Sequence, residues 1–137
     1  MMFKLLLKKL SAPYYRRFLE SLNNPRGAQD KILKKIIHEL SKSMYGRDRL
    51  IKPGMSYQDY QKLIPLVSYD DIGELIKPTM EQKTSPLLSS FVVSYEITSG
   101  SSGSNKIIPY TKEALASFRK MAAIWVHDTL RSNPKLK

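Results

Sequence analysis

The chain has 137 residues, 42% hydrophobic and 26% charged, a composition suited to one globular domain and too short for most ATP-using ligases. It contains no cysteine, so disulfides, thiolate metal sites and cysteine nucleophiles are excluded, and a reducing cytoplasm is compatible and is the expected location. The formal net charge of +11 invites a nucleic-acid or membrane partner, but residues 1–52 hold 13 Lys/Arg against 4 Asp/Glu, so the basic excess is local.

The opening run MMFKLLLKKL mixes an apolar cluster with Lys4, Lys8 and Lys9. Too short to span a bilayer and too charged for a secretory signal, it is expected to be a first helix packing Leu5, Leu6 and Leu10 on its own domain. Pro13 starts a second helical piece through Leu19, ended by the breaker cluster of Asn23, Asn24, Pro25, Arg26 and Gly27. From Gln29 to about Met44, Ile32, Ile36, Leu40 and Met44 recur at helical spacing beside Leu33 and Ile37, with Lys31, Lys34, Lys35 and Lys42 outside and Gly46 as a stop.

Ser56 and Ser68 each precede an acid by three residues, Asp59 and Asp71, which predicts capped short helices near 57–63 and 69–80 with Pro65 between them. The Asp70, Asp71 pair is read as helix-capping charge facing a dipole, not as metal or acid–base chemistry. Phe91 to Ile97 and Ile107 to Tyr110 read as strands. A last helix is expected from about Thr111, as N-cap, to Leu130, with Leu115, Phe118, Ala122, Trp125, Val126 and Thr129 as its core stripe.

His38 and His127 have no partner at metal-ligand spacing, so both are read as structural, His38 at the surface and His127 with Asp128 on a solvated face. No metal site is expected. A serine-hydrolase elbow is also absent, since Gly100, Ser101, Ser102 and Gly103 have the wrong spacing.

Between the two strands lie Thr98, Ser99, Gly100, Ser101, Ser102, Gly103, Ser104, Asn105 and Lys106. Glycines let backbone N–H groups approach phosphate oxygens, hydroxyls add donors, and a lysine supplies a mobile positive charge. The run is not a Walker A loop, because Ile107, Ile108 and Pro109 follow the lysine and delay any helix until about Thr111. A strand–loop–strand phosphate clamp is the expectation.

The order Thr-Ser-Gly-Ser-Ser-Gly-x-x-Lys resembles the phosphate-binding motif of adenylate-forming enzymes, with Asn105 where many acyl-CoA ligases carry proline. Ile64 to Asp71, the strand at 91–97 and Lys106 to Thr111 occur in the order seen in the Gretchen-Hagen family of acyl-acid amido synthetases, and the helical lead from Phe18 to Gly46 is similar too. The resemblance implies the fold of an α/β enzyme, α+β in this fragment. A helical N-terminal half, a β-hairpin phosphate loop and a long helix would form part of the large N-terminal domain. Within a partial adenylation domain over 1–137, the segments are a basic helical lead (1–52), short helices (53–90), the clamp (91–110) and a helix (111–131).

The resemblance further implies a ligase that uses ATP and magnesium to convert a carboxylic acid into an acyl-adenylate, which an amine or amino acid then attacks. It assigns Thr98, Ser99, Gly100, Ser101, Ser102, Gly103 and Lys106 to the nucleotide phosphates, with Lys106 as the catalytic charge. Family members are much longer, so this chain is expected to be inactive alone, with the remainder of the enzyme possible as a second chain. The alternative is a non-enzymatic basic helical module whose residues 1–52 bind nucleic acid or an anionic membrane. No helix-turn-helix signature or aromatic stacking motif supports it, so neither partner is expected.

Overall fold

A computed structural model describes residues 2–82, 84–98, 105–133 and 135. The chain divides into two compact units, one of Met1–Gln29 with Glu113–Lys137 and one of Asp30–Lys112.

In the first unit, helix α1 (Met2–Leu22) is continuous through Pro13, where a break had been expected. Proline fixes a φ that a helix accepts, and Ser11 binds the carbonyls of Leu7 (2.6 Å) and Lys8 (3.3 Å) in the turn before it. Leu5 and Leu10, expected to pack, are 70% and 61% exposed, and it is Ser11 that is buried. Its partner is helix α7 (Lys112–Ser132), entered directly from a strand that ends at Thr111. Ser11 Oγ lies 3.0 Å from His127 Nδ1, the Tyr15 and His127 rings stack at 4.6 Å, and the Tyr15 hydroxyl donates to Asp128 at 2.9 Å. His127 and Asp128 therefore clamp α1, correcting the reading of a solvated face. The expected core stripe of α7 is also corrected: no described residue of that helix is buried, and Phe118 and Trp125 are 53% and 69% exposed. Within this unit one other long helix is too little apolar surface to cover it.

The cluster read as a breaker opens helix α2 (Pro25–Leu40). The Asn24 carboxamide accepts the Gly27 N–H at 2.9 Å as a cap, and Pro25 takes the first position, where a missing N–H costs nothing. Only Ile37 of α2 is fully buried, while Ile32, Ile36 and Met44 are exposed, so the buried ridge is displaced from the one expected.

The second unit continues with α3 (Met44–Asp48), α4 (Tyr57–Leu63), α5 (Tyr69–Ile76), α6 (Thr79–Gln82), and strands β1 (Val92–Thr98) and β2 (Lys106–Thr111). Gly46 lies inside α3 and not at a helix stop. The predicted serine caps form: Ser56 caps α4, and Ser68 and Asp71 make a full capping box on α5. Buried Ile37, Tyr45, Ile51, Ile76 and Val92 are the apolar core of this unit. Buried Ser85 donates to the Leu75 carbonyl at 2.8 Å, and the Tyr45 N–H donates to the Pro86 carbonyl at 2.9 Å, fixing the chain between α6 and β1. The two strands pair antiparallel from Val92 opposite Thr111 to Thr98 opposite Lys106, with an irregularity between Val92 and Ser94. An α+β arrangement of helices, one hairpin and a closing long helix is thus observed.

Candidate functional site

The hairpin delivers the two ends of the sequence-predicted loop to one place. Thr98 and Lys106 are the last facing pair of the ladder. Ser99, Gly100, Ser101, Ser102, Gly103 and Ser104 lie outside the described residues. Thr98 and Lys106 are both half-buried, and β2 runs on into α7 without a helix at the lysine. The two strands that flank the sequence-predicted clamp are therefore paired with each other.

Three tyrosines outside the loop hold the hairpin, two of them to neighbouring helices and one across its own ladder. Tyr95 on β1 donates through its hydroxyl to the carbonyl of buried Thr79 on α6. Tyr110 on β2 donates to Glu96 across the ladder at 3.1 Å, and this carboxylate holds the Tyr110 phenol above its ordinary pKa. Tyr69, in the first turn of α5, reaches the backbone of Ile107 and lies with its ring centroid 5.5 Å from Lys106 Nζ. Among the described residues no carboxylate forms an ion pair with Lys106, so its charge is not cancelled locally.

In the sequence Tyr69 carries no mark beyond its place after the cap residue Ser68. The cap is what fixes it. Asp71 accepts the Ser68 N–H and hydroxyl, each at 2.7 Å, and the backbone bond chiefly, then the hydroxyl, holds the Asp71 carboxyl below its usual range. Asp71 is thereby engaged as a cap, and among the described residues no three His, Asp or Glu side chains come together to hold a metal ion.

Two surface hollows lie elsewhere. One of about 750 Å³ in the first unit is walled by Phe18, Leu22, Met121, Ile124 and Trp125, and one of about 460 Å³ in the second lies beside Lys42, Arg47 and Ser89. Neither is lined by Thr98 or Lys106. No helix among the described residues is long and apolar enough to cross a membrane.

The family model described as "GH3 family N-terminal domain" matches residues 14–137, a span that includes α5, the hairpin and α7. Among curated proteins, the chain is similar to two from Arabidopsis thaliana. Indole-3-acetic acid-amido synthetase GH3.2 is 28% identical over 102 residues, covering 72% of this chain and 19% of the relative. Indole-3-acetic acid-amido synthetase GH3.4 is 27% identical over 100 residues, covering 71% of this chain and 17% of the relative. The chain spans less than a fifth of the length of either.

Proposed function

The chain belongs to the GH3 family as part of its N-terminal domain, and from that premise we propose that it supplies the phosphate-binding hairpin of an ATP-dependent acyl-acid amido synthetase. The single observation that carries this reading is the facing of Thr98 and Lys106, which flank a Ser/Gly-rich run in the sequence.

A carboxylate is a poor electrophile until one of its oxygens belongs to a good leaving group. In the proposed reaction a carboxylate oxygen bonds to the α-phosphorus of ATP and pyrophosphate departs, leaving an acyl-adenylate. An amine then attacks the acyl carbon, loses a proton and expels AMP, which leaves an amide. The hydroxyls of Thr98, Ser99, Ser101 and Ser102 and the backbone at Gly100 and Gly103 donate to phosphate oxygens, while Lys106 meets the β- and γ-phosphates. Donors positioned in advance act by stabilising charge as it gathers on the departing pyrophosphate. Magnesium would accompany the nucleotide and offset part of the phosphate charge. The indole-3-acetic acid in the relatives' names makes an aromatic carboxylic acid the first substrate to try.

Titration of the chain with ATP and with sodium tripolyphosphate, followed by the amide resonances of Thr98 and Lys106, tests the clamp. Saturable shifts are expected, weakened about tenfold or more in Lys106→Ala, as for loss of a charge-assisted contact. In a longer protein that carries this chain, exchange of labelled pyrophosphate into ATP should fall about a hundredfold for the same substitution. Undiminished exchange would remove Lys106 from the reaction.

A further inference from the structure

Tyr69 makes three contacts with two consecutive residues, and all three lie at the closing end of the loop. The Ile107 N–H donates to the Tyr69 hydroxyl at 2.8 Å, and that hydroxyl donates to the Ile107 carbonyl at 3.4 Å. Alternate residues of an antiparallel ladder turn both backbone groups away from their partner strand. Among the described residues the sheet has two strands and no third strand receives them, so one phenol answers both. The same ring lies under the Lys106 ammonium at 5.5 Å, within the range of a cation–π contact.

From this geometry we infer that Tyr69 is a positioning residue for the phosphate clamp, fixing β2 at Ile107 and holding Lys106 without neutralising it; the inference rests on the phosphate reading proposed above. A carboxylate in the same place would orient Lys106 equally well but would cancel the charge that a polyphosphate needs. An aromatic face attracts the ammonium through its quadrupole and leaves the net charge intact. The capping box of Ser68 and Asp71 starts α5 at Tyr69 itself, so the helix N-terminus sets where the ring stands. Tyr69 and Ile107 are 38 residues apart in sequence.

Two substitutions separate the contacts. Tyr69→Phe keeps the ring and removes the hydroxyl, and Tyr69→Leu removes both. In the 137-residue chain, hydrogen exchange of the Ile107 amide should quicken about tenfold in Tyr69→Phe, as expected for one lost hydrogen bond. Exchange at Ile51, whose N–H donates to the Gly46 carbonyl away from the hairpin, should stay unchanged. With lysines isotopically methylated, the Lys106 signal, assigned by its loss in Lys106→Arg, should keep its ring-induced shift in Tyr69→Phe and lose it in Tyr69→Leu. Sodium tripolyphosphate should bind about tenfold more weakly to either variant.

Equal acceleration at Ile107 and Ile51 would assign Tyr69 a general structural role and overturn the inference. So would a Lys106 signal indifferent to Tyr69→Leu. Wild-type chain that binds tripolyphosphate alongside a Phe variant that binds it equally well overturns the positioning role alone. Wild-type chain that fails to bind overturns the phosphate reading itself.

Discussion

A Cβ built on Gly46 would lie 1.9 Å from the carbonyl oxygen of Leu40, far inside any non-bonded contact. The obstacle is backbone, not a side chain that could swing aside. Its bare α-carbon lets α3 fold back over the end of α2. There the Gly46 N–H donates to the Ser43 capping hydroxyl at 3.0 Å, and the Gly46 carbonyl accepts the Ile51 N–H at 2.9 Å. Gly46→Ala should cost about 2–3 kcal/mol of stability, in the range of an overpacked core site. A lower urea midpoint at unchanged slope would register it, and a wild-type midpoint would refute it.

Gly73 supplies the opposite expectation. A Cβ there would meet only the Tyr69 ring at 3.5 Å, an ordinary contact, and the residue lies within α5. Gly73→Ala should stabilise the chain by roughly 0.5–1 kcal/mol through helix propensity. The same midpoint measurement decides the sign.

How much could be foreseen divides along sequence distance. The Ser56/Asp59 and Ser68/Asp71 caps span three residues each, so their pattern was legible, as were two strands separated by a turn-rich run. Asn24 and Pro25 open a helix although they read as a breaker, because a helix N-cap and first turn use the same residue types as a loop. Nothing local marks Tyr69 for Ile107 or Ser11 for His127, 116 residues away, since each pairing exists only after the elements have met. The Ser/Gly motif named the candidate site, and the hairpin register brought Thr98 to Lys106.

The α5 cap should be acid-sensitive. Its Asp71 carboxyl is held below its ordinary pKa by the Ser68 N–H and hydroxyl, so the folded pKa is the lower one. Stability from this group is therefore complete above the unfolded-chain pKa and is lost as pH falls through the folded value. The Ser68 amide resonance should move on acidification at a midpoint below the usual carboxylate range, with the Ile107 amide responding in step. Asp71→Asn should abolish the titration at both. A midpoint at the ordinary carboxylate value would exclude the cap as its origin.

Tyr15 and Asp128 set limits at both ends of the pH scale for the helix pair of the first unit. Their hydrogen bond is the largest influence on each, raising the Tyr15 pKa and lowering that of Asp128. The Tyr15 contribution is complete below its unfolded pKa and is lost as pH rises through the raised folded value. That of Asp128 is complete above its unfolded pKa and is lost as pH falls through the depressed one. The pair should thus be tightest between those limits. Tyr15→Phe should blunt both flanks of a stability–pH profile, and Tyr15→Phe with Asp128→Asn should be less damaging than the sum of the two.

Trp125, the one tryptophan of the chain, reports directly on the uncovered face of α7. It is 69% exposed, Met121 one turn before it is 57% exposed, and both wall the groove of about 750 Å³ together with Phe18 and Leu22 of α1. At low micromolar concentration its emission should therefore be that of a water-exposed indole, quenched by acrylamide nearly as well as in the urea-unfolded chain. Apolar surface of this kind favours association. The emission should shift to the blue as concentration rises, in step with sedimentation to larger species. Met121→Glu should suppress both changes while altering monomer stability by no more than about 0.5 kcal/mol, since the side chain it replaces is already mostly in water. A large loss of stability in that variant would mean that Met121 is packed, and blue emission at every concentration would mean the same for Trp125.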